Sequence, residues 1–252
     1  MASLSPSHTV LVFLAGIGAG FVNGVAGGGS LISFPVLLAL GYPALTANVT
    51  NTVGIWPGYV ASSAGFRNEI TGQRGQLVRL SPVSIAGGVA GAVLLLTTPS
   101  ALFTQLAPWL ILGAAALFAA QPFLRRALDG ASSTPPDRPV LLMAGTFGAS
   151  VYGGYFGAGL GVMLMAILGL SLPDSLARTS GLRSLVSMVV NGVAAAVFLI
   201  HGGLAAEAVG LLAVGSLFGG WIGARAALAV PASVLRAFVI LVGIGTAARL
   251  LL

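Results

Sequence analysis

The sequence has no cysteine and no lysine, and only two histidines. Without cysteine there is no disulfide framework and no thiolate metal site. Charge is scarce as well: it makes up 6% of the residues, where a soluble domain carries about 25%. The acids number five, Glu69, Asp129, Asp137, Asp174 and Glu207, and none lies deep in an apolar run. That removes the carboxylate, histidine or cysteine cluster that an enzyme buried in a membrane would need. No HExxH, Walker loop or nucleophile elbow occurs, and the GAGLG of 157–161 follows no strand, so it is no dinucleotide fingerprint. The chain is therefore expected not to be an enzyme, and no cofactor is expected.

What is present is apolar surface. The chain of 252 residues is 57% hydrophobic, with mean hydropathy +1.03. Apolar runs of roughly 18 or more residues recur along its length, which reads as a multi-spanning membrane protein. The runs do not alternate polar and apolar, so helices fit and a barrel does not. The pI of about 11.1 comes from eleven arginines. In a membrane protein arginines mark cytoplasmic loops and lipid headgroups, so no nucleic-acid partner is expected.

The chain repeats itself. Shifted by 130 positions, Gly24, Gly27 and Gly29 fall on Gly154, Gly157 and Gly159, Pro43 on Pro173 and Ala47 on Ala177. With small length changes, Gly87 and Gly91 match Gly215 and Gly219, Pro99 matches Pro231, and Gly113 matches Gly245. A run of matches in one order indicates duplication. The expected organisation is one transmembrane domain with repeat one at about 9–125, a cytoplasmic linker 126–138, and repeat two at about 139–252. Each half offers five apolar segments: 9–26, 28–41, 44–66, 80–98 and 101–124, then 140–156, 157–170, 174–200, 204–228 and 232–252. An odd number of crossings per half inverts the second half. Arginine placement agrees. Arg67, Arg74 and Arg79, then Arg125, Arg126 and Arg138, and later Arg178, Arg225 and Arg236 all fall on one side of an inverted arrangement. The turns 42–43, 99–100 and 201–206 on the other side have none, and only Arg249 lies towards that face. By the positive-inside rule both termini are expected outside.

The second segment of each half, 28–41 and 157–170, has about 14 residues and rises about 21 Å, short of a ~30 Å hydrocarbon core. Each pair is either a re-entrant hairpin with its glycines at the tip or two tilted crossings with an unwound join. Both give the same sidedness, and the hairpin is preferred. The glycine joins expose main-chain N–H groups, which in a membrane must be satisfied or face a cavity. Short, interrupted segments at matching places in inverted halves point to a transporter's substrate site. Helices starting near Gly29 and Gly159 suit an anion, and glycine lets backbone approach a ligand closely. For Gly87, Gly88 and Gly91 helix packing is the expected role.

The stretches GVAGGGSLISFPVLLALGYP and ALTANVTNTVG, echoed by GGYFGAGLGVMLMAILGLSLPDSLARTSGLRS, resemble the TauE/SafE sulfite exporter family, also called the toluenesulfonate uptake permease family. The resemblance covers essentially the whole chain at the level of repeat organisation. It implies a transporter of the bacterial inner membrane handling sulfite, sulfonates or related sulfur compounds, without fixing which.

Polar helix starts follow both short segments: Thr46, Asn48, Thr50, Asn51 and Thr52 in one half, Arg178, Thr179, Ser180 and Arg183 in the other. Asn51 and Arg183 lie roughly 15 Å into their helices, near midplane. A midplane arginine costs about 3 to over 10 kcal/mol and faces a cavity or a partner. Its planar fork suits oxyanions. Asp174 is expected to cap its helix or pair with Arg178, four residues on. The expected substrate-binding residues are Asn23, Gly27, Gly28, Gly29, Ser30, Asn51, Tyr152, Gly157, Gly159, Arg178 and Arg183. Tyr155 flanks the second glycine cluster, and Asn191 lies two turns past Arg183. Trp56, Trp109 and Trp221 read as packing or interfacial residues, and His8 and His201 as solvated. The expected fold is an all-α integral membrane protein of two inverted repeats, each with a glycine-broken short helix pair and three full transmembrane helices. The expected function is movement of a small sulfur-containing anion by alternating access, with a channel-like pore, a membrane-embedded enzyme and a non-transporting assembly partner as rivals.

Overall fold

A computed structural model describes residues 4–130, 138–172, 174–227 and 232–251. All the regular structure among them is α-helical, in ten helices. These are α1 (Pro6–Val25), α2 (Ser30–Ala39), α3 (Ala44–Gly65), α4 (Arg74–Thr97), α5 (Ser100–Gly130), α6 (Pro139–Tyr155), α7 (Leu160–Ser171), α8 (Leu176–His201), α9 (Ala206–Ala226) and α10 (Ala232–Leu251). Helices α1, α4, α5, α8 and α9 are long and apolar enough to cross a membrane, while α2 and α7 are apolar but short. The order long, short, long, long, long occurs twice.

The expected segments hold, with edges moved. Helix α4 begins at Arg74, so Arg74 and Arg79 belong to its first turns and not to a loop. Long arginine side chains reach polar surroundings from inside a helix, and hydropathy alone does not register that. Helix α5 runs on to Gly130, into the expected linker, whose residues 131–137 lie outside the described residues. The turns expected at 171–173 and 226–231 also fall partly outside them, at residue 173 and at 228–231.

Helix α3 carries the polar run Asn48–Thr52, and the structure places it inside. Thr50 and Asn51 are 0% exposed, and Asn48 is 1%. The large exposed side chains are apolar instead: Trp109, Phe123, Ile200 and Leu241 face outward. Polar inside and apolar outside is the arrangement a bilayer selects. Arg225 stacks over the Trp221 ring at 3.7 Å, so this tryptophan pairs with a cation at the end of its helix. Trp56 is turned inward at its polar atom, its indole N–H donating to the Met188 carbonyl at 3.1 Å.

Small residues let the helices approach closely. Gly16, Gly20 and Gly24 of α1 lie against Leu212–Ala224 of α9, and Gly215, Gly219 and Gly223 of α9 lie against the α1 backbone from Phe13 to Phe21. Numbering rises together on both helices, so they run parallel. Gly87 and Gly91 of α4 meet Phe147–Tyr155 of α6 in the same parallel sense, which is the packing role expected for them. Helices α3 and α8 cross between these two seams, with Ser184 of α8 hydrogen-bonded to Ser62 at 3.0 Å and facing Ser63 at 3.3 Å. Thr50 of α3 accepts the Ala205 N–H at 3.0 Å and so satisfies the start of α9 from another helix.

Each short helix doubles back on its predecessor. Ile32 of α2 lies beside Gly18 of α1, and Ile167 of α7 beside Gly145 of α6. Both pairs are therefore antiparallel helical hairpins with glycine-rich tips.

Candidate functional site

The first tip begins where α1 ends at Val25. Gly27 turns the chain with φ +83°, a left-handed conformation that costs any residue with a Cβ. Asn23, in the last turn of α1, clasps the turn. Its Oδ1 accepts the Gly29 N–H at 2.7 Å and the Tyr59 hydroxyl at 3.2 Å. Asn51 of α3 brackets the start of α2, donating from Nδ2 to Ser30 Oγ at 3.1 Å and accepting from Ser33 Oγ. The ring of Phe118 covers Gly28.

The second tip repeats the turn. Gly157, the 130-shift equivalent of Gly27, has φ +78°, and Gly159 has φ +83°. The Tyr152 hydroxyl donates to the Ala158 carbonyl at 2.7 Å, across the tip. Asn48 of α3 donates from Nδ2 to the Tyr155 carbonyl at 2.9 Å. Asn191 of α8 donates to the Ser187 carbonyl at 2.9 Å and turns its Oδ1 towards Gly157. Phe156 packs edge-on against Phe34 of the first hairpin, centroids 5.3 Å apart.

The two tips meet. The Gly161 N–H donates to the Gly27 carbonyl at 3.0 Å. Arg183 reaches this junction from α8, 2% exposed. Its Nη2 donates to the Gly24 carbonyl at 3.0 Å and the Asn23 carbonyl at 3.4 Å, while Nη1 faces Gly27. The partner is thus neither a carboxylate nor open space. It is the C-terminal end of α1, where carbonyls lack intrahelical donors and the helix dipole is negative. A guanidinium meets both needs with charge-assisted bonds. The main-chain amides at the helix starts are also partly engaged, since Gly29 binds Asn23 and Gly161 binds Gly27.

Of the residues expected at the site, Asn23, Gly27, Gly28, Gly29, Ser30, Asn51, Tyr152, Gly157, Gly159 and Arg183 are gathered around the two tips. Arg178 is not among them. It pairs with Asp174 at 2.7 Å and donates to the Thr71 carbonyl at 3.3 Å, its side chain 40% exposed at the start of α8. Sequence reasoning missed Tyr59, Ser33 and Phe118. An aromatic or a serine in a membrane helix is ordinarily a packing residue and carries no signal of its own. Asn48 belongs to a polar helix start in the sequence, but its partner, the Tyr155 carbonyl, comes from the fold.

Comparison with known proteins agrees with this architecture. A family model described as "Sulfite exporter TauE/SafE" matches residues 12–250. A "Probable membrane transporter protein ORF9" of Sinorhizobium sp is 29% identical over 256 residues, covering 100% of this chain and 95% of its own. A "Probable membrane transporter protein" of Haemophilus influenzae is 25% identical, covering 95% and 93%. The "Probable membrane transporter protein YfcA" of Escherichia coli K12 is 25% identical, covering 98% and 91%. No solved structure matches. The chain belongs to the sulfite exporter TauE/SafE family of membrane transporters.

Proposed function

We propose that the chain is a secondary transporter that carries a small sulfur-containing anion, such as sulfite or an organosulfonate, across the bacterial inner membrane by alternating access. The observation that carries this reading is a buried arginine at the junction of two glycine-hinged hairpins, with main-chain carbonyls as its hydrogen-bond partners. An oxyanion offers that guanidinium better acceptors than carbonyls do, because they are charged and match its planar fork. The tips are packed against each other, so binding requires them to part, and the Gly161–Gly27 bond is the contact that must break. The parted tips would present Gly27, Gly28, Gly29, Ser30, Gly157 and Gly159 as backbone contacts. Asn23, Asn51 and Tyr152 would donate from their side chains, and Arg178 would meet the anion on its approach.

The same reading takes the halves as inverted, with both termini outside. Two features support it besides the arginine bias. Helix α1 packs with α9 while α6, its counterpart, packs with α4, the counterpart of α9. Likewise α2 meets α10 while α7 meets α5. Such exchange of partners is what a two-fold relation between repeats produces. Outward movement of an anion from a negative-inside cell is favoured by about 2.3 kcal/mol per charge per 100 mV, so export needs no proton relay.

Two measurements on the purified protein test this. Thermal melting against sulfite, sulfate, thiosulfate and small sulfonates is expected to show stabilisation by at least one sulfur anion, following mass action. Radiolabelled flux in proteoliposomes is expected to saturate with that anion. Absence of any shift across the panel would overturn the substrate class. Electrical currents far above carrier turnover would replace the carrier with a channel.

A further inference from the structure

The two hairpin tips are held by different chemistry, and the difference falls on charge. We propose that Arg183 is an anion-sensitive latch on the first hairpin, whereas Asn48 latches the second through a neutral amide that an anion leaves in place. This rests on the anion-transport reading above and adds to it which gate the substrate operates.

The arrangement is reciprocal. The long polar helix of each half grips the last-turn carbonyls of the other half's hairpin. Helix α8 reaches the end of α1 through Arg183, and α3 reaches the end of α6 through Asn48. The roles come from positions that are not repeat equivalents. Under the 130-residue shift Arg183 falls on Val53, and Asn48 falls on Arg178, which is occupied with Asp174. Both grips satisfy carbonyls that a helix end leaves orphaned. Only one of them carries charge.

That charge couples ligand to movement. An oxyanion draws the Arg183 fork away from the Asn23 and Gly24 carbonyls, because a charged acceptor outcompetes a neutral one. The freed carbonyls are buried and cannot stay unpaired without cost. The favourable outcome is for the tip of the first hairpin to move to where water or other donors reach it. The anion thus has a differential affinity for the opened state, the condition for a ligand to shift a conformational equilibrium. At the second tip the Asn48 amide has no net charge to be captured, and the Tyr155 carbonyl keeps its donor.

The cysteine-free chain allows a direct test. Single cysteines replace Ala26 at the first tip and Ala158 at the second, both buried. Labelling by a water-soluble maleimide is followed in proteoliposomes with methanesulfonate, against chloride as the control, beside a flux assay on the same preparations. Methanesulfonate is expected to raise labelling of Ala26→Cys by about threefold or more and that of Ala158→Cys by a smaller factor, because the first tip moves while the second keeps its Asn48 grip and is only uncovered. Arg183→Gln, which can still donate a neutral bond to Gly24, is expected to fold and to abolish the response, and Arg183→Lys to keep part of it. Equal responses at both tips overturn the latch, whether or not the Arg183 variants fold. So does a persisting response in Arg183→Gln, or its complete loss in folded Arg183→Lys. Flux of the wild type without any labelling response overturns the latch alone, whereas neither flux nor response with any sulfur anion overturns the transport reading with it.

Discussion

Gly161 donates its main-chain N–H to the carbonyl of Gly27 at 3.0 Å, joining two hairpins from opposite halves backbone to backbone. Side chains would forbid so close an approach. A Cβ on Gly27 would overlap Gly161 and would stand in a left-handed backbone conformation. Gly27→Ala is therefore expected to lower stability by about 1–3 kcal/mol from backbone strain alone and to abolish flux. Gly148→Ala is the control, since nothing lies within 4 Å of the added carbon. Thermal melting and flux on both variants check this, and a Gly27→Ala protein as stable and active as the control would refute it.

The two arginines of α8 are expected to separate cleanly. Arg183 is buried at the junction, and Arg178 is half-exposed in an ion pair with Asp174. Arg183→Ala is expected to remove sulfite and sulfonate binding altogether. Arg178→Ala loses an exposed pair worth about 0–1 kcal/mol and is expected to keep the fold and most of the affinity. Titration of sulfite by thermal shift or calorimetry gives the comparison; unaltered affinity in purified Arg183→Ala would end its role as a ligand.

Asn23 should matter more than its partner Tyr59. Asn23→Ala leaves the Gly29 N–H and the Tyr59 hydroxyl without an acceptor, a penalty of about 1–3 kcal/mol for a buried donor. Tyr59→Phe removes a donor but leaves Asn23 bonded to Gly29, a loss of about 1 kcal/mol. Melting temperatures in detergent are expected to fall in that order.

Thr50→Val keeps shape and removes the oxygen that accepts the Ala205 N–H. It is expected to cost about 1 kcal/mol, the value of a lost helix cap, with amide exchange accelerated at the start of α9. Exchange spread evenly over the helix would show that the cap is dispensable.

Much of this molecule was legible in its sequence, for reasons that differ by feature. The ten segments were readable because a bilayer demands long apolar runs, and the breaks because glycines cluster where helices stop. Arginine sidedness is identical whether a short pair dips or crosses, and what only the fold displays is that each pair doubles back, with Ile32 beside Gly18 and Ile167 beside Gly145. Arg183 was legible as a buried charge in need of a partner. That its partners are the Asn23 and Gly24 carbonyls was not, because every residue has a carbonyl and only the fold brings particular ones into reach. Tyr59 and Ser33 were invisible for a related reason: their meaning comes from the helix opposite, not from their own.

The glycine seams carry a mechanical consequence. Because α1 lies on α9, and α6 on α4, with little side chain between them, each pair slides poorly and travels as a unit. Each unit takes one helix from each half. Any flexing that keeps both seams whole therefore divides the chain across its two halves, with α1 and α9 on one side and α4 and α6 on the other.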